Sequence, residues 1–118
     1  MGKIRVMVVR PMEAPKMEMV ENSLEGFYGL LDCDTVETVY PFPPADRVVL
    51  VCDEEGKFRK GPNRALKDRD GNMYDVVFGT FFVCGVKGGD FASLPKKLED
   101  KYMKMFGEIE RYKVKGGM

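Results

Sequence analysis

The side chains best suited to chemistry fall in one stretch, residues 57–85, which read KFRKGPNRALKDRDGNMYDVVFGTFFVCG. Arg64 offers a planar guanidinium fork that matches a phosphate or a carboxylate. Asn63 beside it can turn or cap the backbone. Lys60 and Lys67 flank this pair and would supply positive potential, while Tyr74 would present a stacking face to a base. Lys60, Asn63, Arg64, Lys67 and Tyr74 are therefore the candidate ligand-binding set, for an anionic, nucleotide-like small molecule. A competing reading is structural: Asn63 satisfies loop amides, and Arg64 pairs with Asp68 or Asp75 to hold a hairpin together.

Catalysis is harder to build. The chain has no histidine, so Ser-His-Asp and Cys-His mechanisms are excluded within it. Asp68, Asp70 and Asp75 could serve a metal-dependent phosphodiesterase, but aspartates around a hairpin are ordinarily turn formers. Counted from Asp68, a calcium loop needs Gly at position six and Glu at position twelve, and the chain has Met73 and Gly79 there. The glycines at 85–89 match neither a Walker A loop nor GxGxxG. Without histidine or a C-x-x-C pair, zinc has no ligand set. The reading is a non-enzymatic binding protein with no cofactor and no metal.

Lys+Arg and Asp+Glu are both 19, so net charge makes no case for bulk attraction to nucleic acid or an anionic membrane. Phe58 between Lys57 and Arg59 is an aromatic flanked by bases that could stack on a nucleic acid, and nucleic acid is disfavoured. The charge is uneven, however. Residues 11–38 carry seven acids against Lys16, and residues 57–70 carry six bases against Asp68 and Asp70. The acidic segment or a sheet edge gives a second class of function, a protein-interaction module that blocks a host protein. Self-association is left open. No apolar run approaches the roughly 20 residues that span a bilayer, and the opening MGKIRVMVVRP reads as a strand, not a signal peptide. Three cysteines, odd in number and widely spaced, suit buried thiols in a reduced, cytoplasmic protein.

The elements that must position these residues follow from periodicity. KIRVMVVR (3–10), KMEMV (16–20), DTVETVY (34–40) and RVVLVC (47–52) read as strands. Asp70-Gly71 signals a hairpin, Gly79 a bulge or close backbone approach, and residues 80–86 a further strand. A helix opens at Asn22 or Ser23, with Leu24, Phe27, Tyr28, Leu30 and Leu31 on its stripe. A second is capped by Ser93, and Gly56 supplies a positive φ in the turn after Asp53. The expected fold is α+β: one domain over residues 1–118, frayed at 111–118, with a single mostly antiparallel sheet of five or six strands and two helices packed on one face.

PNRALKDRDGNMYDVVFGTFFVCG, residues 62–85, resembles the signature of domain-of-unknown-function family 3846. Pro62, Asn63, Arg64, Asp70, Gly71, Tyr74, Asp75, Gly79, Thr80, Phe81, Phe82 and Gly85 carry the match. The opening strand and, more loosely, the final helix extend it over nearly the whole chain. The family has no established activity to carry over. Its members are similar in setting, small proteins of bacteria, phages and mobile elements. That setting implies an accessory or counter-defence role, such as inhibiting a host immune protein or sequestering a nucleotide signal.

Overall fold

The computed structural model describes residues 2–111. Eight strands and three helices follow in order: β1 (Lys3–Val9), β2 (Lys16–Glu21), α1 (Leu24–Leu31), β3 (Val36–Val39), β4 (Val48–Asp53), α2 (Gly56–Arg59), β5 (Pro62–Lys67), β6 (Met73–Phe78), β7 (Phe81–Lys87), β8 (Asp90–Ala92) and α3 (Lys96–Met105). Six strands form an antiparallel sheet in the order β2-β1-β7-β4-β3, with β8 also on β7, and β5-β6 is a separate hairpin. Of the end expected to fray, all but Arg111 lies outside the described residues.

The α+β class and the antiparallel sheet are as the sequence predicts, but the helices do not share a face. Residues of β1, β4 and β7 alternate between two cores because successive side chains point to opposite sides of a strand. Ile4, Val6, Val8, Val49, Val51, Phe82 and Cys84 pack under Phe27 and Leu31 of α1. Met7, Val9, Val48, Leu50, Phe81 and Val83 pack on the other side, under Leu66 and Val77 of the hairpin and Tyr102 and Phe106 near the end of α3. A sheet whose central strands are apolar on both faces needs a cover on each, so one helix goes to each side.

Local chemistry explains the ends of these elements, with two departures from expectation. Ser23 caps α1, its hydroxyl accepting from the Gly26 amide at 3.0 Å. Ser93 caps nothing: Pro95 stands at the N-cap of α3, and the Ser93 hydroxyl instead accepts from the Arg5 amide. Gly56 does not take a positive φ. It opens α2, and its reason is space, since a Cβ there would lie 2.6 Å from the Phe78 carbonyl oxygen. Gly71 in the hairpin does take a positive φ, and so does Gly79. At Gly79 a Cβ would also meet the Lys60 side chain at 2.6 Å, so the position is restricted twice over.

Candidate functional site

The stretch that looked chemical proves to be the internal fastening of the fold. Asn63 is 1 % exposed and Arg64 is 0 % exposed. The Asn63 Nδ2 donates to the Val9 and Gly79 carbonyls, both at 2.9 Å, which ties the hairpin to the ends of β1 and β6. Its Oδ1 accepts from Arg64 Nη1 at 2.7 Å. Arg64 Nε donates to the Phe106 carbonyl at 3.0 Å, and Nη2 to the Glu13 carbonyl at 2.6 Å. A guanidinium reaches three carbonyl-type acceptors from one plane, which an ammonium cannot do. Arg64 is thus not a surface contact, and these bonds do not go to Asp68 or Asp75. Asp68 Oδ1 accepts from the Asp70 and Asn72 amides, and Asp75 Oδ1 accepts from the Val76 amide.

Lys60 is engaged in the same way. Its Nζ donates to the Leu31 and Asp32 carbonyls at 2.6 Å each, at the left-handed end of α1. It also lies 3.1 Å from the buried Asp53 Oδ2, which takes no aligned hydrogen bond, so this contact is electrostatic. Lys67 and Tyr74 remain exposed on the hairpin, Lys67 beside a groove with Phe42 and Met105. Arg64 lies buried and Tyr74 exposed, and the five expected site residues do not converge. Three of them are buried or bonded to backbone.

A family model for a domain of unknown function, DUF3846, matches residues 4–107. The chain belongs to that family. No curated protein and no solved structure matches the DUF3846 chain. The signature stretch therefore contributes, in this DUF3846 protein, the buried latch just described.

A cleft lies in a different part of the DUF3846 chain. Between β3 and β4 the chain crosses through Tyr40, Pro41, Phe42, Pro43 and Pro44, and a single 3-10 turn over Pro44–Asp46 leads to Arg47. Arg47 sits at φ 53°, a left-handed conformation that residues other than glycine rarely adopt. Facing it is the turn of Gly88 and Gly89, both at positive φ, between β7 and β8. A cleft of about 500 Å³ opens here, walled by Tyr40, Phe42, Pro43, Pro44, Val48 and Val86, with Arg47 and the two glycines completing it. Its size and apolar wall suit a small organic ligand. Tyr40 is 69 % exposed. Every other arginine from residue 2 to residue 64 is held in an ion pair or in the buried latch, whereas Arg47 makes no side-chain hydrogen bond or ion pair among the described residues.

The loop carrying Arg47 is anchored from behind. Asp46 Oδ2 accepts from Tyr102 Oη at 2.5 Å and from Lys101 Nζ at 2.6 Å. The Lys101 bond, then the Tyr102 bond, hold the Asp46 carboxyl below the usual range. Burial, with the Asp46 carboxylate second, pushes the Tyr102 hydroxyl up. The Arg47 carbonyl accepts from the Val86 amide at 2.9 Å, joining the loop to β7.

The remaining reactive groups are inert in position. All three cysteines are free and buried. Burial pushes the Cys84 thiol up to about 12, and burial with nearby Glu37 and Asp53 does the same to Cys52. Cys33 is also raised, chiefly by burial. No helix among the described residues is long and apolar enough to cross a membrane. No sequence signal short of the proline cluster at 41, 43 and 44 marked the cleft.

Proposed function

We propose that this is a non-enzymatic binding protein whose cleft between Tyr40, Arg47 and the Gly88-Gly89 turn takes an anionic ligand with a flat apolar ring, a nucleotide being the model. One observation carries the reading: a guanidinium with no side-chain partner among the described residues, on a loop anchored from behind, lining an apolar cleft with an exposed tyrosine. Tyr40 supplies a stacking face and Arg47 a charged fork for the anion. Thiols held protonated by burial and a chain without histidine leave the site without an activated nucleophile or an ordinary general base, which supports binding without turnover.

Its setting follows from the resemblance drawn from the sequence, as a phage or mobile-element protein in the bacterial cytoplasm. There it would act in counter-defence by sequestering a nucleotide signal. Free, buried thiols suit that compartment.

Calorimetric titration with nucleoside monophosphates tests the cleft. Binding should occur and weaken about tenfold or more in Arg47→Ala and in Tyr40→Ala, the loss of one charged hydrogen bond or one stacked ring. Absence of heat with every nucleotide would remove the reading. A second reading, a surface for a host protein, is favoured by Phe58, which is 87 % exposed between Lys57 and Arg59, and by the exposed Met73 and Tyr74 of β6. It predicts a stoichiometric protein partner in a host-lysate pull-down that Phe58→Ser abolishes.

A further inference from the structure

A second groove of about 440 Å³ adjoins the cleft, and Arg47 and Val86 line both. Its chemistry differs from that of the first lobe. Arg47, Lys87 and Lys97 line it against one acid, Asp46, and that carboxylate already accepts from Lys101 and Tyr102. Neither Lys87 nor Lys97 forms an ion pair among the described residues. Pro95, Lys97 and Leu98 also line it, so α3 opens on its rim and adds the positive end of its dipole. Three cations sharing one groove repel one another unless an anion lies among them.

Resting on the cleft reading above, we infer that the ligand carries two or more phosphates in series on a nucleoside. The ring lies in the apolar lobe by Tyr40, and the phosphate chain runs over Arg47 into the groove of Lys87 and Lys97. A single phosphate would be met by Arg47 alone and leave Lys87 without a counter-charge and Lys97 with only the Asp46 carboxylate, which Lys101 and Tyr102 already hold. A di- or triphosphate places an anion beside each. Arg47 sits at the junction and contacts the chain where it leaves the ring.

The test is calorimetry at low salt and without divalent cations, using adenosine and guanosine mono-, di- and triphosphates, with inorganic triphosphate as a separate arm. Affinity should rise at least tenfold from mono- to triphosphate, and inorganic triphosphate should bind more weakly than the nucleoside triphosphates. Lys87 and Lys97 are exposed, so the Lys87→Ala/Lys97→Ala variant keeps its fold, as circular dichroism would verify. It should lose the rise while holding the monophosphate at wild-type affinity. Equal affinity for mono- and triphosphate overturns this inference and leaves the cleft reading standing. So does a rise that survives in the double variant, or inorganic triphosphate binding as tightly as the nucleotides. No binding of any nucleotide overturns both.

Discussion

Replacing Arg64 separates a buried fastening from a ligand contact. In Arg64→Leu the Phe106 carbonyl, the Glu13 carbonyl and Asn63 Oδ1 all lose their donor. They belong to three segments that Arg64 joins: the end of α3, the link between β1 and β2, and the hairpin. An orphaned buried acceptor costs about 1–3 kcal/mol; the Glu13 carbonyl is only part-buried and acceptors that share one site do not add fully, so the three together give about 3–5 kcal/mol. That is a large part of the roughly 5–15 kcal/mol by which domains are stable. With a urea dependence of roughly 1.5 kcal/mol per molar, the unfolding midpoint should fall by about 2–3 M. Arg64→Lys should fall by about half as much, because one ammonium cannot reach all three acceptors. Urea denaturation followed by circular dichroism, alongside nucleotide titration, reads both quantities. A variant that unfolds at the wild-type midpoint while losing nucleotide affinity would refute the latch and return Arg64 to the surface.

Lys60→Met removes the counter-charge of buried Asp53 and the donor to two carbonyls ending α1. Because Lys60 is partly exposed, the loss should be about 2–3 kcal/mol, and adding Asp53→Asn should recover part of it; a strictly additive double variant would count against the pair. In the native protein at pH 8 none of the three thiols should react with a disulfide reagent within minutes, and all three should react in urea; one fast equivalent would contradict their burial. Asp46 is held low chiefly by Lys101, so its stabilising effect is present above its unfolded value, about 3.9, and disappears as pH falls through the folded one. The stability gap between wild type and Asp46→Asn should be constant above about pH 5 and close below about pH 4; a gap unchanged to pH 2 would show that the Asp46 charge is not involved.

Much of the fold was legible because the period of two in β1, β4 and β7 is strong and the turn residues are specific. Asp70-Gly71 and Gly79 each do what their backbone freedom suggests. The placement of the helices was not legible. Continuous apolar runs such as VVLVC say that both faces are covered but not by what. The burial of Arg64 was not legible for a related reason. A guanidinium suits carbonyl oxygens as well as phosphate, and sequence does not show which it will meet. Arg64 meets carbonyls because the chain after α3 and the chain after β1 both return to it, which is a tertiary fact. Arg47 carried no local signal beyond three prolines, since its prominence comes from Gly88-Gly89 being brought opposite by β4–β7 pairing.

The position of β7 has a consequence for synthesis. It is the strand that joins two halves, with β1 on one side and β4 on the other, yet it comes seventh in the chain. Until residue 87 has left the ribosome, the β1–β2 pair and the β3–β4 pair have nothing to unite them, and each exposes apolar surface on both sides. Folding is thereby committed late and in one step, a high-contact-order event that waits on most of the chain. A nascent chain stalled before residue 81 should stay protease-sensitive. One stalled with the first 111 residues clear of the exit tunnel should be protected, and protection at the shorter length would show that the halves associate without their central strand.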